Sequence, residues 1–177
     1  TIDNDIVGTT NCFGFDSAVA FATEAIDRLH TTAEAHHRVM VVEVMGRYAG
    51  WIALHAGVGG GADAILIPEI PFDLAAVAAH IRARDSWGAR FSIVVVAEGA
   101  VPRDGRRTVV QEATAGHVER LGGIGAQVAD ALTGLTGKES RWVVLGHLQR
   151  GGAPTSFDRV LATRFGGKAV ELAAAGR

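Results

Sequence analysis

Two sets of polar residues in this sequence have types and spacing that could do chemistry. The first follows four short apolar runs at 39–44, 64–67, 91–96 and 142–145. Directly after them stand Met45-Gly46-Arg47, Pro68-Glu69, Ala97-Glu98-Gly99 and Gly146-His147-Leu148-Gln149-Arg150-Gly151-Gly152. Arginine forks and a histidine among glycine amides suit a phosphate, and carboxylates accept hydrogen bonds from sugar hydroxyls. By themselves these residues point to an anionic sugar or nucleotide ligand. Any one of them is more often a cap or a surface charge; agreement among four run ends is what favours a ligand. The second set is Asp3 and Asp5. Alternating carboxylates in a short loop can supply a general base and a metal-side partner, although a solvated Asx-turn explains the pair alone.

These residues can act together only if one scaffold collects them. The four runs are β-branched and nearly continuous rather than alternating, the pattern of strands buried on both faces of a parallel sheet. Helical segments lie between them. Residues 16–30 carry Val19, Ala22, Ile26 and Leu29 on one face, with Asp16 or Ser17 to cap the start. Residues 50–58 read as a short apolar helix. Residues 73–84 open on an N-cap Asp73, and 122–135 and 157–175 complete the set. Strand–helix alternation predicts an α/β fold, a three-layer α/β/α arrangement around a mostly parallel sheet. In such sheets ligands bind at the carboxyl ends of the strands, where the polar residues stand. One connection, 98–122, is long and rich in Gly, Arg and Thr, and is expected to be a surface loop or an extended excursion.

Composition narrows the function classes. The chain has 177 residues, 48% of them hydrophobic and 20% charged, with a formal net charge of −2. That is enough for one well-cored domain, and the weak field argues against a nucleic-acid binder. Mean hydropathy is high at +0.21, yet no run of about 18 apolar residues exists and no membrane span is expected. The single Cys12 excludes an internal disulfide framework and fits a reducing cytoplasm. With 23 Gly and only 4 Pro, the chain has the flavour of an α/β domain rather than of disorder. It opens without an initiator Met and stops in a helix-like stretch, so its ends read as cuts.

Other motifs carry less. Gly57-Val58-Gly59-Gly60-Gly61 has the glycine content of a phosphate loop but no Lys-Ser/Thr after it, and tight turning explains it. Gly122-Gly123-Ile124-Gly125 opens a helix and could seat an anion; close helix packing is the plainer explanation. His30, His36, His37, His55, His80 and His117 form no metal-ligand pattern, His55 suits packing on an apolar helix, and Cys12 suits a packing role.

Taken in order, Thr1-Ile2-Asp3-Asn4-Asp5, Met45-Gly46-Arg47-Tyr48-Ala49-Gly50, Glu98-Gly99 and Gly146-His147-Leu148-Gln149-Arg150-Gly151-Gly152 with Asp158-Arg159 resemble the 6-phosphofructokinase family across essentially the whole chain. The resemblance implies a phosphotransferase of glycolysis that phosphorylates fructose 6-phosphate at its 1-hydroxyl. Asp3 is then the general base, Thr1 a contact to the phosphoryl group in transfer, and Asp5 a supporting carboxylate. Arg47 steadies charge on the transferring group, Met45 and Gly46 line the sugar site, and Glu98 takes sugar hydroxyls. His147 and Arg150 take the 6-phosphate, while Arg38 and Arg141 reach it from a neighbouring subunit. A homo-oligomer, dimer or tetramer, follows.

The resemblance further implies a cytoplasmic enzyme using Mg²⁺ and either ATP or pyrophosphate. The family's metal-holding acidic residue and its glycine-rich donor-binding segments precede the Thr1–Asp5 motif, so the metal ligands here are unknown. Residues 1–14 then belong to the donor domain as its catalytic loop, 15–150 to the acceptor domain, and 151–177 to a return segment. The chain alone is expected to be inactive, and a non-catalytic sugar-phosphate-binding domain is the alternative. Phe13-Gly14-Phe15-Asp16-Ser17 resembles a subgroup holding both donor types. His30 and Ala89 stand where regulated bacterial members carry basic effector-binding residues, which speaks against that control.

Overall fold

The strands of the main sheet alternate with helices, as the periodicity requires, and one further strand pair is set into the long connection. A computed structural model of the chain describes residues 1–103, 105, 108–111 and 120–177, with the side chains of 110, 111 and 120 left aside. The order is α1 (Phe15–His36), β1 (Val39–Val44), α2 (Trp51–Gly59), β2 (Ala64–Leu66), α3 (Leu74–Ser86), β3 (Ser92–Ala97), β4 (Val109–Gln111), β5 (Arg120–Leu121), α4 (Ile124–Thr136), β6 (Ser140–Val144), a 3-10 turn (Gly146–Arg150) and α5 (Ser156–Ala174). Four strands form one parallel sheet in the order β2-β3-β1-β6. Its register sets Val44 beside Ala97, and Glu43 between Val96 and Val144. The carboxyl ends of β1, β3 and β6 therefore finish level, and the loops leaving them meet.

The two faces of the sheet are covered by different helices. Met40, Val42, Val44, Ile93, Val95 and Ala97 pack under α1 and α2. Val39, Val41, Val94 and Val96 pack under α3 and α4, against Ile81, Ile124, Val128 and Leu132. Alternate residues of one strand serve opposite cores, so the apolar runs are continuous, and the three-layer α/β/α expectation holds. Gly57 and Gly60 allow the closeness of α2: a Cβ at either would come within 2.7 Å of Ile65 or Ile26. Packing thus accounts for the glycine cluster that resembled a phosphate loop.

Several expectations need correction. β1 and β3 are buried throughout, but β6 is an edge strand whose Trp142 and Val144 are about half exposed, at 48% and 49%. The run 142–145 is therefore not buried on both faces; a strand paired on one side only leaves its outer flank bare. The start of α1 is capped by neither Asp16 nor Ser17. Its N-cap is Gly14 at φ 95°, and no side chain of its own segment closes it. Asp158, at the start of α5, accepts hydrogen bonds from the Gly14 N–H (2.7 Å), the Ser17 N–H (2.8 Å) and the Ser17 hydroxyl (2.5 Å). The Thr155 hydroxyl in turn donates to Asp16 at 2.6 Å. Two helix starts are thus laced together, and Asp158 is the only buried residue recorded in α5. Asp73 caps α3 as expected, accepting from the Ala75 and Ala76 amides.

The long connection is an extended excursion in part. It contains the antiparallel pair β4–β5 and a bridge from Phe72 to Pro102; its residues 104, 106, 107 and 112–119, His117 among them, lie outside the described residues. Among the described residues no helix is long and apolar enough to cross a membrane.

Candidate functional site

The level ends of β1, β3 and β6 open into a cleft of about 380 Å³ lined by Asp3, Glu43, Met45, Arg47, Glu98, Leu121, Gly122, Gly123, Val144, Gly146, His147 and Arg150. Six of the residues singled out from the sequence meet there: Asp3, Met45, Arg47, Glu98, His147 and Arg150. Carboxylates from the N-terminal loop, β1 and the end of β3 stand against cations from the β1 loop and the 3-10 turn after β6.

Local backbone geometry sets each group. Gly46 adopts φ 144° and Arg47 adopts φ 53°, the latter a left-handed conformation that costs energy for a residue other than glycine and recurs at functional sites. This turn presses on Gly99 so closely that a Cβ there would collide with the Arg47 carbonyl oxygen. Glu98 holds the turn from the other side, accepting the Arg47 N–H at 3.0 Å and the Gly46 N–H. The Arg47 guanidinium lies 5.4 Å from the centre of the Tyr48 ring. His147 and Arg150 ride on the 3-10 turn, which buried Gln149 braces by donating to the Gly146 carbonyl at 3.1 Å.

The electrostatics of the cleft are uneven. Burial pushes the Glu98 carboxyl above its ordinary 4.5; the Arg47 and Gly46 amides pull it back, and the charges of Glu43 and Asp3 add to the rise. Asp3 is only 8% exposed, and its buried Oδ1 has no hydrogen-bond partner among the described residues. A buried carboxylate oxygen without a donor is costly and is the kind of group that a ligand hydroxyl satisfies. Its neighbour Thr1 accepts the Asp3 N–H at 3.1 Å.

The other candidates are elsewhere. Asp5 is exposed and does not line the cleft. Glu69 accepts the Gly50 N–H at 2.8 Å, serving the start of α2 as a cap. Arg38 and Arg141 stand at the amino ends of β1 and β6, the opposite edge of the sheet. There both engage Glu139: Arg38 Nε at 2.7 Å, Arg141 Nε at 2.8 Å and its Nη2 at 2.6 Å. Hydrogen bonding from Arg38, with a further contribution from Arg141, holds Glu139 below its ordinary value. His55 packs edge-on against Phe15 and Trp51, and Cys12 is buried, as their packing roles require. Among the described residues no group of three or more His, Cys, Asp or Glu is arranged to hold a metal ion.

Glu43 was overlooked in the sequence. It lies 2% exposed in a strand otherwise wholly apolar, and that lone charge in the run Val-Met-Val-Val-Glu-Val was the available signal. The anion seat considered at Gly122–Gly125 is filled by this carboxylate, which accepts from the Gly123 and Gly125 amides.

Fold and cleft define a class: a parallel α/β chain that gathers carboxylates and cations at the carboxyl ends of its strands. Comparison with known proteins agrees. The family model described as phosphofructokinase matches residues 1–173. The ATP-dependent 6-phosphofructokinase of Chloroflexus aggregans is 61% identical over 176 residues, which cover 99% of this chain and 48% of that protein. The pyrophosphate–fructose 6-phosphate 1-phosphotransferase of Amycolatopsis mediterranei is 58% identical over 179 residues, with 99% and 52% covered. Among solved structures, phosphofructokinase from Saccharomyces cerevisiae superposes with a TM-score of 0.82 at 38% identity, over 97% of this chain and 21% of that one. The chain belongs to the phosphofructokinase family. It spans about half the length of the curated relatives it matches.

Proposed function

We propose that this chain is the sugar-phosphate-accepting part of a phosphotransferase that converts fructose 6-phosphate to fructose 1,6-bisphosphate. The observation that carries the proposal is the buried Asp3 carboxylate, with an oxygen unpartnered among the described residues, in the same cleft as Arg47, His147 and Arg150. Asp3 takes the proton from the 1-hydroxyl as that oxygen attacks the phosphorus of the donor. The new O–P bond forms as the bond to the leaving group breaks. Thr1 and Arg47 steady the phosphoryl group in transfer, with Asp5 as a supporting carboxylate. Met45 and Gly46 line the sugar site, Glu98 accepts sugar hydroxyls, and His147 and Arg150 hold the 6-phosphate. Positioning and charge neutralisation are what such a transfer chiefly needs.

Arg38 and Arg141 act on the cleft of a neighbouring copy in a homo-oligomer, because β1 separates them from their own. Residues 15–150 form the acceptor domain, and 1–14 and 151–177 belong with the donor domain. Relatives of comparable identity are named for ATP and for pyrophosphate, so both donors enter the test. Mg²⁺, if bound with the donor, would supply charge neutralisation at its phosphates. The described residues make no cluster that fits a resident cation. The working compartment is the cytoplasm.

The test is to supply fructose 6-phosphate, Mg²⁺ and ATP or pyrophosphate to active protein containing this chain and to measure fructose 1,6-bisphosphate. Formation with one donor, abolished by D3N, is expected. Unchanged turnover in D3N would reject Asp3 as the base.

A further inference from the structure

Glu43 puts a charge into one of the two strands that are buried throughout. Its carboxylate accepts the Gly123 N–H through both oxygens, each at 3.1 Å, and the Gly125 N–H at 2.8 Å. These amides belong to the start of α4, where a helix leaves N–H groups unpaired and its dipole favours negative charge. Gly122 and Gly123 line the cleft beside Glu43 and adopt φ 136° and 85°, so only glycine turns this wall without strain. At Gly125 a Cβ would lie 3.1 Å from both Cβ and Oε2 of Glu43. Three glycines are thus fitted around one carboxylate at the rim of the site.

We propose that Glu43 is a positioning and specificity residue of the sugar-phosphate site. It fills the anion-attracting start of α4 with the protein's own carboxylate and fixes the Gly122–Gly123 wall. The phosphate of a ligand is thereby confined to the side formed by Arg47, His147 and Arg150. Without Glu43 the cleft would offer two competing anion seats, since a helix start with free amides binds phosphate readily. A cap of purely structural value would change stability and leave the distribution of bound anions alone; Glu43 governs that distribution. The proposal rests on the sugar-phosphate reading of the cleft.

The test uses amide resonances of the ¹⁵N-labelled chain, titrated with inorganic phosphate and, separately, with fructose 6-phosphate. In the unaltered chain both ligands move the signals of Arg47, His147 and Arg150 and leave Gly123 and Gly125 nearly still. In E43Q, which keeps the side-chain shape and drops the charge, phosphate moves the Gly123 and Gly125 amides. Fructose 6-phosphate then binds about tenfold more weakly. G125A is the second variant: it crowds Glu43 and retains the charge, so it weakens fructose 6-phosphate without opening a second phosphate seat. E43Q binding fructose 6-phosphate as tightly as the unaltered chain, with both glycine amides unmoved by phosphate, would overturn the proposal. Should E43Q fail to fold, unaltered affinity in G125A with shifted Gly122 and Gly123 signals would overturn it equally. Failure of the unaltered chain to bind either ligand would reject the sugar-phosphate reading itself, a result distinct from one confined to the variants.

Discussion

The sheet carries cations at both ends, and the two ends are unlike. At the carboxyl end, Arg47 and Arg150 share the cleft with carboxylates yet form no ion pair among the described residues. At the amino end, Arg38 and Arg141 are closed onto Glu139. The first arrangement leaves guanidinium donors for an incoming anion; the second ties both guanidiniums to one shared carboxylate, which offsets only part of their charge. Distance decides whether they serve one site. β1 has six residues, which at about 3.3 Å each set Arg38 about 20 Å from Arg47. Groups so far apart cannot grip one sugar phosphate within a single chain. Exposed ion pairs contribute little to stability, so Glu139 is a partner that a phosphate can displace. Cations at the level strand ends and cations at the strand starts are thus too far apart to share one cleft; on the proposed reading, the second pair serves the cleft of a neighbouring copy.

The experiment that breaks this contrast most severely is removal of the base. D3N in active protein containing this chain should lower kcat about a thousandfold with little change in KM, as loss of a general base does; rates of fructose 1,6-bisphosphate formation measure it. Next comes the phosphate grip. R150A should weaken fructose 6-phosphate binding about 10- to 100-fold, the value of charge-assisted hydrogen bonds, whereas H55A on the outer face of α2 should change nothing by calorimetry.

The amino-end pair is tested by mixing. R141A and R150A subunits, each weakly active alone at a low fructose 6-phosphate concentration, should regain intact sites amounting to about a quarter of all sites when randomly reassembled as dimers, because half the dimers are mixed and each holds one whole site. No recovery on mixing would place both arginines in one subunit's site. The smallest effect concerns Glu98. Its folded value is raised above 4.5, so the stability it contributes is full below that pH and is lost as pH rises through the folded value. The difference in melting temperature between wild type and E98Q should therefore shift in favour of E98Q on going from acid to neutral pH. A difference constant with pH would contradict the burial of Glu98 as a charge.

Much of this was legible in the amino acids. Continuous β-branched runs gave away parallel strands because a central strand buries both faces, and β1 and β3 do. The same inference failed for β6, since sheet order decides which strand is an edge and no local pattern records it. Strand-end logic found Arg47, Glu98, His147 and Arg150, because level register puts residues that follow strands side by side. It misassigned Glu69, whose strand β2 lies at the far edge and whose carboxylate turns to Gly50. Asp158 as the cap of α1 was out of reach, as it arrives 141 residues after Ser17. Glu43 was visible as an isolated charge, but its meaning depended on α4 being brought against β1.

The most direct test is a calorimetric titration of the folded chain with fructose 6-phosphate, wild type beside R150A and H55A. We predict saturable binding that inorganic phosphate competes away, that R150A loses and that H55A keeps. Absence of binding in the folded wild-type chain, or binding indifferent to R150A, would contradict the assignment of the cleft to a sugar phosphate.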